Sequence, residues 1–219
     1  MIVGATSWQI PGTYWENVRL IGAHADFVEL LVYTWDEETE RLLDREWRLM
    51  ESVCPLSIHL PTDSLAHIEA ALDYFRHKSV YRLTMHPILP LEETLSLYYR
   101  YRSIFPERLL LENLENDYLD HILAECDTGS LLLTFDIGHF LLLSRDVPAF
   151  FEQWRSHIRE IHFHGIVNHK DHALPDPGAI RTFKNWMKQF DPNGAWPVCV
   201  ELFNWEDTAA VLKELKDDR

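Results

Sequence analysis

The sequence is poor in the residues that mark several large protein classes. Its three cysteines, Cys54, Cys126 and Cys199, are isolated from one another. They fit neither a disulfide framework nor a CxxC metal site and read as small core hydrophobes. Eight glycines, none grouped, supply no phosphate-binding loop, and no nucleophile elbow is present. Cations are scarce: 20 Lys and Arg stand against 35 Asp and Glu, a formal charge of −15. That balance argues against tracking a nucleic-acid backbone or docking on an anionic membrane. No apolar run approaches the roughly 20 residues of a membrane span, and the MIVGATSW start lacks the features of a signal peptide. The expectation is a soluble cytoplasmic protein with no nucleic-acid or membrane partner.

What is present is a repeated unit. Short apolar runs occur at 3–8, 27–33, 55–60, 81–86, 108–113, 131–137, 159–164 and 197–202. Continuous apolar character over four to seven residues suits strands buried on both faces, as in a parallel sheet. Between them lie amphipathic stretches at 38–52, 64–77, 91–104, 117–126, 148–156, 178–190 and 206–217, with a weaker one near 16–24. Asp63 or Ser64 is placed to cap the second of these. Eight strand–helix units in 219 residues predict one domain, 1–219, folded as a near-minimal (β/α)₈ TIM barrel. An open doubly wound sheet is the alternative, disfavoured by the missing glycine-rich loop.

A barrel does its chemistry at the C-terminal ends of its strands. Here those ends carry, in order, His59, His86, Glu112 with Asn113, Asp136 followed by Gly138 and His139, His162 with His164, and Glu201. The loop after the seventh run adds His169, Asp171 and His172. One histidine at a strand end is ordinarily a hydrogen-bonded rim residue, and Glu112 or Asp136 alone could cap a following helix. Six consecutive strands ending in imidazole or carboxylate require another account. Ionisable groups are rarely buried unless paired or metal-bound, and clustered carboxylates repel one another without cations. Imidazole and carboxylate without thiolate suit zinc, manganese, iron or magnesium, and the many histidines favour the transition metals.

Residues two apart on a strand share a face, so His162 and His164 go together, as do Cys199 and Glu201. Glu29, alone in FVELLVY, either orients a metal ligand or pairs with an arginine. Trp8, Tyr14, Trp15, Tyr33 and Trp35 follow the first two strands. They either line a pocket for a large, flat ligand or pack the first helix and plug the barrel.

The succession IHLP, TMHP, LLLEN, FDIGH, IHFH, HKDH and a final VE resembles the xylose-isomerase-like barrel superfamily over nearly the whole chain. It is most similar to the endonuclease IV branch, whose members hold three metals. The resemblance implies metal roles for His59, His86, Glu112, Asp136, His139, His162 and Glu201. In the loop the family has an acid, a spacer and a histidine; here His169 and Asp171 exchange the types, which leaves Asp171 as the implied ligand. The superfamily's sugar isomerases and epimerases use the smaller set Glu112, Asp136, His162 and Glu201. IPGTYWENVRLIG, DFVELLVY, LENLEN, HFHG and DHALP look like the cobamide-remodelling phosphodiesterases.

The first expectation is therefore a hydrolase of a small phosphodiester, such as the nucleotide loop of a cobamide, with two or three divalent ions and Glu112 and Glu201 as catalytic residues. The second is a metal-dependent sugar isomerase or epimerase. The third is a non-catalytic metabolite-binding barrel. His164, His169, His172 and Glu29 stand as further metal or substrate contacts.

Overall fold

A computed structural model describes residues 1–125, 129 and 131–217. Cys126 lies outside the described residues. Eight parallel strands close into a barrel in the order β1-β10-β7-β6-β5-β4-β3-β2. They are β1 (Val3–Thr6), β2 (Val28–Leu31), β3 (Leu56–His59), β4 (Leu83–Met85), β5 (Leu109–Glu112), β6 (Leu133–Asp136), β7 (Ile158–Phe163) and β10 (Val198–Val200). Every apolar run of the sequence contributes one of them. Seven of the observed strands are shorter than their runs because flanking residues leave the ladder, and β7 keeps its length but starts one residue earlier, so His86, Asn113, His164 and Glu201 sit one position past their strands.

The helices are α1 (Tyr14–Ile21), α2 (Glu37–Glu51), α3 (Leu65–Phe75), α4 (Leu91–Arg102), α5 (Tyr118–Glu125), α6 (Ile137–Leu142), α7 (Val147–Trp154), α8 (Pro177–Phe190) and α9 (Trp205–Lys216). Their starts are written in side chains. Asp36, Ser64, Asp146, Asp176 and Asn204 each accept a first-turn N–H. Thr13 and Glu16 form a reciprocal capping box that starts α1 two residues before the expected stretch. Each helix then lays an apolar stripe on the sheet: Ile68, Ala71, Leu72 and Phe75 of α3 are buried, as are Ile180, Phe183, Met187 and Phe190 of α8.

Two elements go beyond the expected pattern. Helix α6 starts directly at Ile137, with the Asp136 side chain accepting from His139 N at 2.7 Å. Asp136 is thus a cap as well as a member of the buried cluster described below. A hairpin of β8 (Gly165–Val167) and β9 (Lys170–Ala173) follows β7, its turn made by Asn168 and His169 at φ 53° and 58°. Glu112 caps nothing, since the next helix begins only at Tyr118.

The lumen is unusually polar for a barrel. Thr84 of β4 and Thr134 of β6 meet at 3.1 Å, and Cys199 of β10 donates to Glu29 of β2 at 3.4 Å. Both pairs join non-adjacent strands, so they cross the interior. Cys199 is buried in the core as expected, and its thiol also makes a polar contact. At the lower end Phe27 fills the space beside Gly4, where any Cβ would collide with its ring.

Candidate metal centre

Register sets the floor of the mouth. Asp136 pairs with His162 across β6 and β7, and His162 pairs with Cys199 across β7 and β10. His162 Nδ1 lies 2.7 Å from Glu112 Oε1 and 3.1 Å from Glu201 Oε2. On the other side of the ring, Nε2 lies 3.2 Å from Glu29 Oε2. Glu29 faces this imidazole and the Cys199 thiol, so the arginine expected as one alternative is not its partner.

Glu112, Asp136, His162 and Glu201 each offer a ligand atom within 4.8 Å of the others, and all four are buried. His59 and His86 approach Glu112 Oε2 at 3.4 and 2.8 Å, a second group sharing that carboxylate. A third group lies beside them. His164 Nε2 is 3.2 Å from Asp136 Oδ1, and the His139 and His172 rings are 5.4 and 4.2 Å from the His164 ring. Asp171 is 3.6 Å from His139 Nε2 and 3.7 Å from His172 Nε2.

Whether these residues suit a metal is decided by their unmet polar atoms. Neither nitrogen of His162 and neither oxygen of Glu112 has a hydrogen-bond partner, nor has Glu201 Oε2 or His139 Nε2. The groups touch at short range, yet their donor directions miss the facing oxygens. Lone pairs turned into a shared space fit a divalent cation and are costly without one. The donor set of imidazole and carboxylate fits as well.

Electrostatics point the same way. Burial would raise Glu112, but the imidazoles of His162, His59 and His86 overcome it and hold the carboxyl well below its ordinary range. Glu201 behaves similarly: burial raises it, His162 outweighs that, and it falls to about 2. Burial opposes protonation of His139, but Asp136 and the other acids raise it to about 9. All three carboxylates of the central group, Asp136 included, are held ionised.

The structure thus brings together His59, His86, Glu112, Asp136, His139, His162, His164 and Glu201, with Glu29 behind His162. Asp171 and His172 reach the edge of the cluster. His169 does not: it is exposed at the hairpin turn. The aromatics divide. Trp35 is buried against Tyr74 and Phe75, Tyr14 donates to Leu31 O, and Trp15 is half-buried against the core. Tyr33 instead stands edge-on to His59 at 5.3 Å, with Trp8 on its other side.

Sequence reasoning placed Asn113 and Gly138 at the strand ends without giving their roles, and missed Glu160. Asn113 clamps Asp136 through both backbone groups, each at 2.8 Å. Gly138 leaves room for the His164 ring, which a Cβ would strike. Glu160 is buried with neither oxygen partnered, and burial together with nearby Glu29 pushes it up to about 8. Period-two reading of REIHFH, with Glu160, His162 and His164 on one face, was the available signal.

The chain matches no protein-family model, and no curated protein matches it in sequence. Solved structures do match its fold. A structure of IolI protein with a bound zinc atom aligns over 100% of this chain and 97% of its own, at 14% identity and TM-score 0.70. The 3-keto-D-glucoside 4-epimerase YcjR from E. coli aligns over 98% and 97%, at 13% identity and TM-score 0.70. The probable 3-DHS dehydratase AsbF from Bacillus anthracis covers all of both chains at 16% identity and TM-score 0.64. At such identities the likeness establishes a shared (β/α)₈ fold along the whole chain.

Proposed function

We propose that this chain is a metal-dependent isomerase or epimerase of the xylose-isomerase-like superfamily, acting on a sugar or a similar polyhydroxylated small molecule. The observation that carries the reading is the buried group Glu112, Asp136, His162 and Glu201, with ligand atoms mutually within 4.8 Å. These residues would hold one divalent ion, zinc, manganese or iron. Such an ion supplies polarisation of adjacent substrate oxygens, which acidifies the neighbouring C–H. Glu112 and Glu201 come from strands separated by β6 and β7 and are both held ionised, so either can accept a proton from carbon. Inversion needs one of the pair as carboxylate, to take the proton from carbon, and the other as carboxylic acid, charged beforehand from water or a substrate hydroxyl, to deliver its own proton to the opposite face; the two end with their protonation exchanged. Glu29, 3.2 Å from Nε2, would orient His162 behind the bound ion. The epimerase and the zinc-bound protein among the structural neighbours support this reading.

A second reading has one observation behind it. His59 and His86 form a further ligand group on Glu112, which a mononuclear isomerase does not need. Two or three ions at one mouth suit phosphodiester cleavage, including that of a cobamide nucleotide loop. The test is incubation of metal-loaded protein with a ketose panel in D₂O, followed by NMR. The isomerase reading expects deuterium at the carbon next to the carbonyl, lost in Glu112→Gln and Glu201→Gln. Cleavage of bis(p-nitrophenyl) phosphate with no exchange at carbon would favour the hydrolase.

A further inference from the structure

Large apolar side chains are exposed around the mouth. Trp8, Ile10, Leu89, Leu174 and Phe203 lie 38–63% exposed, all in loops leaving the C-terminal ends of strands. Two of them are one ring away from the polar cluster. Trp8 packs edge-on to Tyr33 at 4.9 Å, and Tyr33 in turn faces His59. Phe203 lies 4.8 Å from the His172 ring, which packs tilted against His164 at 4.2 Å.

Trp8 is held outward against two costs. Its φ of 70° is in the left-handed region, a strain of about 1–3 kcal/mol for a bulky residue, and its indole is half in water. Its neighbours enforce the position. Asn17 Oδ1 accepts from Gln9 N and Ile10 N, and the Gln9 amide donates to Thr6 O and Leu202 O.

The same loops are nearly free of cations. They contain one lysine, Lys170, exposed on the hairpin, and no arginine; nearby Arg145, between α6 and α7, is engaged by Asp120. Barrel enzymes often bind phosphate after strands seven and eight at a helix N-terminus. Here the Asp176 carboxylate occupies the N-terminus of α8, accepting from Gly178 N and Ala179 N at 2.6 and 2.9 Å. A terminal phosphate would meet a carboxylate there.

Resting on the isomerase reading of the metal centre, we infer that the substrate joins its oxygen-rich reacting part to an extended apolar body that lies on this rim, and carries no terminal phosphate. A small-molecule glycoside with an apolar aglycone and a ketone in its sugar ring has this chemistry. Trp8, Ile10, Phe203 and Leu174 leave three adjacent strands, β1, β10 and β7, and Trp8 and Phe203 each reach the polar cluster through one ring, which suits a ligand lying on this side of the rim and reaching into the metal centre better than a second copy of the chain.

The test compares metal-loaded wild type, Trp8→Ala and Phe203→Ala by calorimetry. The probes are phenyl β-D-glucopyranoside, methyl β-D-glucopyranoside and glucose 6-phosphate. The expected result is about tenfold tighter binding of the phenyl than the methyl glycoside, a ratio falling about threefold in each variant, with no gain for the phosphate. Equal binding of the two glycosides, tightest binding of the phosphate, or a ratio unchanged in both variants overturns the inference. So does sedimentation showing a wild-type dimer that either variant dissociates. Deuterium exchange into ketoses, run alongside, separates the two claims: exchange without a phenyl preference rejects the rim and keeps the isomerase, and the converse does the opposite.

Discussion

Glu107 and Glu112 stand five residues apart at the two ends of β5. Glu107, at the lower end, is exposed and lies 2.9 Å from Arg102 and 2.8 Å from Arg159. Glu112, at the mouth, is buried and faces His59, His86 and His162 with no arginine or lysine against it. The lower carboxylate has fixed positive partners, and exposed pairs of that kind contribute at most about 1 kcal/mol. The upper one shares its surroundings with Asp136, Glu201 and Glu29, and imidazoles alone must balance them. Charge left without permanent counter-charge in a dry site is the physical signature of a bound cation, whereas the paired end reads as stability.

Breaking the upper end should have the largest effect. Glu201→Gln keeps the shape but removes the proposed base and a proposed ligand charge; turnover should fall about 10²–10⁴-fold in a steady-state assay. Glu29→Gln touches the ring only from behind. Metal affinity, read by competition with a chelating dye, should weaken about 10–100-fold while the fold persists by circular dichroism. Gly138→Ala drives a methyl into His164 and should cost about 1–3 kcal/mol in urea unfolding.

The smallest effect belongs to the lower end. Arg159 and Arg102 overcome a modest burial penalty and hold Glu107 below its ordinary range. Its contribution is present above the unfolded pKa and lost as pH falls through the lowered folded value. Glu107→Gln should therefore cost under about 1 kcal/mol near neutrality, and the deficit should vanish in acid-side unfolding curves. A lower-end variant that abolished metal binding would break the contrast.

Much of this was legible in the sequence because burial on both faces leaves continuous apolar runs, and eight of them fix the barrel. The mouth was legible for a related reason: an ionisable residue ending such a run has nowhere to point but the lumen rim or a cap. Asp136 does both, which no pattern separates. What could not be read depends on contacts distant in sequence. Glu29 meets His162 across the lumen, and the choice between arginine and imidazole as its partner needed barrel closure. Asp171 is the implied ligand of the loop and His169 a further contact; the hairpin turn sends His169 outward and leaves Asp171 at the edge of the cluster. Helix α6 escaped notice because six residues beginning at the strand's last acid carry too little periodicity.

Metal binding at the mouth through the central group is the property on which the proposed chemistry depends. Plasma mass spectrometry of protein purified without chelator, wild type beside Asp136→Asn, measures this most directly. At least one equivalent of zinc, manganese or iron per wild-type chain, reduced by the substitution, is the predicted result. Folded wild-type protein that carries no divalent metal, and takes up none when titrated with zinc or manganese, would contradict it.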